Sequence, residues 1–283
     1  MKSILAPIED GPGLDAQLET TLLAARLFEA HIDGVAPRLV FGPNVFGDFV
    51  SAADVAAVEE LEEEQSVRLG KVEKRFKEFM DQHSVEQLSL GDDSGNVSAS
   101  CISEISPGDE SVGQLARLYD LIVVARPIAN SQVPRSSLLE TILFEAGHPI
   151  LVVPPRPADH LGKTVLIAWN GSTESARALS FSLPFLHRAE TVIILKVEGG
   201  AVIGPSSYDV QRALKRHKIE SETIDIVASD RPIGEVILSE ANNLSADLLI
   251  KGAYTQSRLR QMIFGGATST IMAKSEIPVL MTH

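Results

Sequence analysis

The sequence predicts an α/β protein of two tandem doubly wound domains, each a five-stranded, mostly parallel sheet with helices on both faces. Apolar runs typical of buried parallel strands alternate with segments of helical spacing. Three landmarks recur in the same order, which indicates two copies of one fold. The matched pairs are KSILAPIE (2–9) with KTVLIAWN (163–170), DLIVVA (120–125) with DLLIKG (247–252), and HPILVV (148–153) with IPVLMT (277–282).

A proline-rich polar stretch separates the two copies. Residues 154–162 read PPRPADHLG, a composition typical of a linker. We therefore expect a first domain at residues 1–154 and a second at residues 163–283.

The second copy shows the clearer alternation of strands and helices. Its predicted strands are Thr164–Trp169, Thr191–Val197, Glu222–Ala228, Leu248–Lys251 and Val279–Thr282. Its predicted helices are Ser172–Leu186, Ser207–His217, Ile233–Leu244 and Thr268–Lys274.

The first copy follows the same plan with a longer second crossover. Residues 51–82 predict one long helix, and residues 91–98 (GDDSGNVS) predict a turn-rich loop. The acidic run Glu59–Glu64 is typical of a solvated helix face rather than of a metal site. The apolar stripe of the helix consists of Val55, Val58, Leu61, Leu69, Val72, Phe76 and Phe79.

Composition and charge argue against several classes of protein. A formal net charge of −13 disfavours binding to a nucleic-acid backbone. The single cysteine, Cys101, excludes an intramolecular disulfide. We find no apolar stretch long enough to span a membrane, no signal-peptide pattern and no metal-binding spacing of the seven histidines. We therefore expect a cytoplasmic protein that binds neither membranes nor metal ions on its own.

A glycine-rich segment near the C-terminal end carries most of the functional signal. The predicted strand Leu248–Lys251 runs into Gly252, and Gly265-Gly266-Ala267-Thr268 then opens a helix. Glycine allows close approach of backbone amides to a ligand, and the free N–H groups of a helix N-terminus attract anions. The pattern predicts a phosphate site, and the structural alternative is a tight turn with close packing of helix on sheet.

These residues resemble the universal stress protein family along nearly the whole chain. The nucleotide-binding members of the family carry Gly-x-x-Gly, nine residues, and then Gly-Ser or Gly-Thr. Here Gly252 matches the first glycine, Thr255 replaces the second, Gly265 matches the third, and Gly266 replaces the final Ser or Thr. The motif is half kept, and Thr268 is the nearest hydroxyl that could stand in.

The resemblance implies further contacts in the second copy. The family's acidic residue at the end of the first strand corresponds to Asn170, which follows Ala168 and Trp169. The backbone that contacts adenine in the family corresponds to about Val197, and Arg258 in the loop could pair with a phosphate. Asn170 could equally form a turn, and Trp169 is more typical of core packing.

The first copy departs further from the family motif. It keeps Glu9 at the acidic position, but Arg126-Pro127-Ile128 contains no glycine, and Ser136-Ser137 stand where the second copy has Gly265-Gly266. We expect this site to have lost nucleotide binding, or to use Arg126 and the Ser136/Ser137 helix start for another anion.

The resemblance implies strand order 3-2-1-4-5 in each copy, with the last strands, Ile150–Val153 and Val279–Thr282, joining the copies as an intramolecular pseudo-dimer. It also implies a regulatory stress protein that binds ATP, or ADP or AMP, in the C-terminal domain, with Mg²⁺ only alongside the nucleotide. A homodimer and a protein partner of unknown identity are compatible with it.

Two other functions stay open. One is a nucleotide-independent scaffold of the same fold, and the other is an adenylate-handling enzyme, for which only Lys251 lies close enough to act. We find no P-loop, dinucleotide fingerprint or nucleophile elbow, so we expect no catalytic residue and at most weak ATP hydrolysis.

Overall fold

The computed structural model describes the whole chain except residues 41–51, 93, 129–130, 132, 229 and 254–265. Its strands lie in one 11-stranded sheet. The strands of the first half are β1 (Ser3–Pro7), β2 (His31–Val35), β3 (Glu86–Gln87), β4 (Ser98–Ile102), β5 (Leu121–Ala125) and β6 (Ile150–Val153). Those of the second half are β7 (Thr164–Ala168), β8 (Thr191–Glu198), β9 (Glu222–Val227), β10 (Leu248–Gly252) and β11 (Val279–Thr282).

Eight helices cover the two faces of this sheet in the described part of the chain. The first half contains α1 (Leu14–Phe28), α2 (Ala52–Gln82), α3 (Asp109–Leu115) and α4 (Ser136–Glu145), with a short 3₁₀ turn at Ala116–Leu118. The second half contains α5 (Thr173–Leu186), α6 (Ser207–Arg216), α7 (Ile233–Asn243) and α8 (Ala267–Lys274). The α/β class predicted from the sequence is therefore confirmed.

The strand order across the sheet is β3-β4-β2-β1-β5-β6-β11-β10-β7-β8-β9. Within each half the neighbouring strands pair in parallel, as expected when helices form the crossovers. In the second half the order is third, second, first, fourth, fifth strand. The first half repeats it and adds β3, a two-residue edge strand that the sequence pattern did not predict.

The two halves meet at the middle of the sheet, where β6 and β11 pair antiparallel. Val152 lies opposite Val279, and Leu151 lies opposite Leu280. All four residues of each strand are buried. The predicted pairing of the two last strands is thus present, and it merges the six strands of the first half and the five of the second into one continuous sheet.

Apolar residues form one layer of core on each face of the sheet. Strand β5 (LIVVA) is buried along its whole length, as expected for a parallel strand covered on both sides. On one face α1 and α5 pack across the junction of the halves, where the rings of Phe28 and Phe185 meet edge-on at 4.7 Å. This contact and the β6–β11 pair make the two halves one packed body.

Helix α2 buries its apolar residues mainly in its C-terminal half. Val72, Phe76 and Phe79 are buried, and the ring of Phe76 lies so close to Gly34 that a Cβ there would be 2.8 Å away. Val55 and Leu61, which belong to the same apolar stripe in the sequence, are 47% and 40% exposed. The acidic run of this helix is exposed, as predicted.

Two smaller findings concern other expected properties of the chain. In the described residues, no helix is long and apolar enough to cross a membrane. Cys101 is a free, half-buried thiol, and burial raises its pKa to about 11. Because the thiolate is the reactive form, this cysteine is unreactive at neutral pH.

Candidate functional site

The candidate site lies at the carboxyl ends of β7 and β10, which are neighbours in the sheet. Lys251 on β10 pairs with Ala168 on β7, and Ala168 pairs on its other side with Leu195 of β8. The chain leaves β7 toward β8 on one side, and it leaves β10 toward β11 on the other side. Where the connections from two adjacent parallel strands run in opposite directions, a crevice forms at the carboxyl ends of the strands, and ligands bind there.

The predicted contact residues lie on two different faces of the sheet. Ala168 and Val197 belong to the core layer covered by α7 and α8, where they are 9% and 5% exposed. Trp169 belongs to the opposite layer, where its indole N–H donates to the carbonyl oxygen of Pro205 at 2.8 Å. The side chains of Ala168 and Val197 thus lie on one side of the sheet, and that of Trp169 lies on the other.

Asn170 forms the turn between β7 and α5. Its Oδ1 atom accepts a hydrogen bond from the backbone N–H of Ser172 at 3.1 Å, and Gly171 takes the left-handed φ of 84°. Ser172 then caps α5 by accepting from the backbone N–H of Ser175 at 3.1 Å. Asn170 therefore has the turn-forming role that the sequence left open as the alternative to a ligand contact.

Gly252 is needed for packing, whatever else it does. A Cβ at this position would lie 2.5 Å from the backbone nitrogen of Ser175 and 2.6 Å from the carbonyl carbon of Glu174. Both atoms belong to the first turn of α5, so only glycine lets strand and helix approach this closely. The structural explanation considered for this glycine therefore applies.

Lys251 is the main charged group of the site. Its side chain is 6% exposed, and its Nζ atom donates to the backbone oxygen of Gly252 at 2.6 Å and to Thr268 Oγ1 at 2.8 Å. Burial lowers the pKa of the Lys251 ammonium to about 7, because an ionised amine is costly to remove from water. Among the ion pairs of the described residues, none involves Lys251.

Helix α8 begins beside this lysine without a side-chain cap. Gly266 is its N-cap residue, and Ala267 and Thr268 follow in the first turn. Among the described residues nothing lies within 4 Å of the position where a Gly266 Cβ would be. A helix start without a side-chain cap leaves backbone N–H groups available to an anion.

Three of the predicted site residues, Thr255, Arg258 and Gly265, lie outside the described residues. The predictions made for them therefore stay predictions. Of the others, the structure brings Ala168, Val197 and Thr268 to the α7/α8 side of the strand ends together with Lys251.

The corresponding end of the first half is filled by its own charged side chains. Glu9 follows β1 and accepts from the backbone N–H of Arg135 at 2.9 Å, at the start of α4. The Arg135 guanidinium bonds both Glu9 at 2.5 Å and Asp109 at 2.6 Å, and Ser137 Oγ donates to Asp109 at 2.8 Å. These carboxylates occupy the place where an external anion would bind.

Little space remains at this first-half position. A cavity of about 10 Å³, lined by Glu9, Gln17 and Arg135 among others, has room for about one water molecule. Arg126, proposed from the sequence as an anion contact, instead donates through Nη1 to the backbone oxygen of Ser275 at 2.5 Å, across the junction of the halves. The loss of nucleotide binding expected for this half stays a prediction.

The described residues contain no group of three or more His, Cys, Asp or Glu side chains placed to hold a metal ion.

The fold and the crevice define a doubly wound α/β protein with its candidate site at the topological switch point. Residues 162–283 match the model of the universal stress protein family, and this stretch is a domain of that family.

Two curated relatives support the assignment. The stress response protein NhaX of Bacillus subtilis (strain 168) is 43% identical over 58 residues, which are 20% of this chain and 34% of the relative. The universal stress protein Slr1230 of Synechocystis sp. is 24% identical over 169 residues, 57% of each chain. The matches thus span between one third and somewhat over half of the length of these relatives.

A solved structure has the same fold along the whole chain. A universal stress protein from Archaeoglobus fulgidus DSM 4304 covers 99% of this chain and 97% of its own, with a TM-score of 0.69 and 16% identity. A universal stress protein in complex with cAMP matches 43% of this chain and 97% of its own, with a TM-score of 0.34 and 21% identity.

Sequence reasoning missed two parts of this arrangement. It considered Lys251 only as a group for an enzyme, although a lysine ending the apolar strand DLLIK was a signal that its ammonium would be buried. It also did not foresee that Arg135 and Asp109 would join Glu9. Nothing in the spacing of those three residues indicates their proximity, which arises from the packing of α3 on α4.

Proposed function

We propose that the second half of this protein binds an adenine nucleotide, ATP or its relatives ADP and AMP, and that the protein is regulatory rather than catalytic. The observation that carries the proposal is the uncapped start of α8 beside a buried lysine that has no counter-ion among the described residues. The start of α4 in the first half also lacks a side-chain cap, but there the Glu9 carboxylate accepts from the backbone N–H of Arg135, its N-cap residue.

The residues present fit a phosphate group. The backbone N–H groups of Ala267 and Thr268 would bind phosphate oxygens, and Lys251 would supply positive charge. Gly265, Thr255 and Arg258 are proposed as further contacts from the adjoining loop. The family assignment of residues 162–283 favours an adenine nucleotide over other phosphate compounds, with the backbone near Val197 beside the base and Ala168–Asn170 beside the sugar.

In this proposal the bound nucleotide changes the shape of the protein or its binding to a partner. The two domains, 1–154 and 163–283, act as a pseudo-dimer in which only the second binds nucleotide. Mg²⁺ enters only with the phosphates. A cytoplasmic location, a homodimer and a protein partner belong to the same proposal.

Nucleotide released from the purified protein should be identified first, followed by calorimetry with ATP, ADP and AMP. We expect binding by the native protein and its loss in Gly266→Val, whose branched side chain fits the open space but blocks the amides. Gly70→Val is a matched control. A Cβ at Gly70 also meets nothing within 4 Å among the described residues, and Gly70 belongs to α2, which is not part of the proposed site. Equal loss in both variants would contradict the assignment of the site.

The second candidate function is a nucleotide-independent scaffold. It is favoured by the structural roles of Trp169, Asn170 and Gly252, each of which is explained by packing or by a turn. Absence of binding by the native protein at about 1 mM nucleotide would favour this candidate. Turnover of ATP that is lost in Lys251→Ala would instead favour an enzyme.

A further inference from the structure

Lys251 is a buried cation placed where positive potential already exists. Its Nζ atom is 2.8 Å from Thr268 Oγ1, in the first turn of α8. The N-terminus of a helix carries roughly half a positive charge, and its effect is strongest within that turn. A protonated lysine here is therefore repelled by the helix as well as deprived of water, and the charge of a bound anion would offset both penalties.

The chain supplies no carboxylate to this ammonium in the part that is described, and the loop 254–265 contains no Asp or Glu. The elements around β10 do carry charges. On α7 and α8, Glu235 pairs with Lys274 at 2.7 Å, and Glu240 accepts from Asn243 at 3.2 Å. Glu174 on α5 lies at the other face of the strand, against Gly252.

The remaining neighbours of β10 provide no carboxylate to Lys251 either. Helix α5 also carries Arg177, strands β7 and β11 carry no charged residue, and His283 follows β11. Burial is the cause that lowers the pKa of Lys251 to about 7, and no neighbouring carboxylate offsets it. Near neutral pH the amine is therefore close to the point of losing its proton when no anion is bound.

We propose that Lys251 couples phosphate binding to proton uptake, so that the second-half site takes up one proton as a nucleotide phosphate settles on the start of α8. This inference rests on the proposed function. The phosphate charge stabilises the protonated lysine, and the protonated lysine in turn strengthens the binding of phosphate.

The direction of the pH dependence follows from this coupling. Below about pH 7 the lysine is protonated with or without the anion, so binding takes up no proton through it. Above that pH the free site is neutral and the bound site is charged. The affinity should then fall as the pH rises, by up to about tenfold per pH unit, until the bound lysine also loses its proton.

The test is calorimetry with ATP at about pH 8, in two buffers that differ in ionisation enthalpy. A terminal phosphate has its second pKa at about 6, so the ligand keeps its charge in this range. The difference between the buffers gives the number of protons taken up. We expect close to one proton for the native protein and close to none for Lys251→Met, with Lys215→Met, an exposed lysine of α6, behaving as the native protein.

A second variant separates proton uptake from simple damage to the site. Lys251→Arg carries a charge at every pH used, so it should bind ATP without proton uptake and with a flat pH profile. Proton uptake that persists in Lys251→Met, or native binding without uptake, would overturn the coupling and leave nucleotide binding intact. Failure of the native protein to bind ATP would overturn the proposed function and the coupling together.

Discussion

At the scale of single residues, Gly252 and Gly266 belong to one sequence motif but have different reasons to be glycine. Gly252 is enclosed by the first turn of α5, whereas Gly266 faces open space among the described residues and has an extended backbone with φ of −177°. Glycine is therefore required by packing at the first position and is available for ligand approach at the second.

Alanine substitutions distinguish these two reasons. Gly252→Ala should lower the free energy of unfolding by about 2–3 kcal/mol, because backbone atoms of α5 must move. Gly266→Ala should change it by less than about 1 kcal/mol, since only the cap residue differs. Denaturant titration of both variants measures this, and equal destabilisation would contradict the packing argument.

Lys251 should also make the free energy of unfolding of the unliganded protein depend on pH. Its pKa falls from 10.5 unfolded to about 7 folded, so the unfolded chain binds more protons between these values. The lysine therefore destabilises the fold fully below about pH 7, and this cost diminishes by up to about 1.4 kcal/mol per pH unit as the pH rises toward 10.5.

Replacing the lysine should remove this dependence. Lys251→Met should be more stable than the native protein by about 2–4 kcal/mol at pH 7, after allowance for two lost hydrogen bonds. The difference should shrink as the pH approaches 10, which denaturation at several pH values can follow. A difference that stays constant with pH would mean that the lysine does not titrate as its burial requires.

At the scale of elements, the N-termini of α4 and α8 occupy corresponding places in the two halves but are satisfied differently. Neither helix has a side-chain cap, but at the start of α4 the backbone N–H of Arg135 donates to the Glu9 carboxylate that follows β1, whereas α8 begins at Gly266 with no carboxylate partner among the described residues. One half therefore provides its own anion, and the other leaves the position to a ligand.

The Glu9 carboxylate should contribute to the stability of the fold. Glu9→Ala leaves the Nε and the backbone N–H of Arg135 without their acceptor, although Asp109 still pairs with Nη1, at a site where the Arg135 side chain is 17% exposed. We expect a loss of about 2–4 kcal/mol in denaturant titration. The control is Asp15→Ala, which breaks the exposed pair of Asp15 with Arg75 and should cost less than about 1 kcal/mol.

At the scale of the whole molecule, the antiparallel pairing of β6 with β11 joins two similar halves into one sheet with unequal ends. The halves also share the Arg126–Ser275 hydrogen bond and the Phe28–Phe185 contact. Since only the second half leaves its helix start open, we expect one nucleotide per chain. Equilibrium dialysis at saturating ATP measures this ratio, and a value near two would contradict the closure of the first half.

Much of this architecture could be predicted from local sequence patterns. The strands of the second half fall within one residue of their predicted ends, because buried parallel strands consist of continuous apolar runs bounded by turns. The strand β3 could not be predicted, since two exposed polar residues carry no pattern. The extent to which α2 is buried could not be predicted, because an apolar stripe indicates a face without showing how much of it another element covers.

The sequence by itself determined the α/β class and the duplicated plan, and it predicted an anion site at the start of α8. These follow from hydrophobic period, repeat and glycine placement, which are local properties. Only the tertiary structure decided that Glu9 closes the first site, that α5 requires Gly252, and that Lys251 is buried without a counter-ion among the described residues. Each of these depends on which distant side chains are brought together, and burial and charge act through space rather than along the chain.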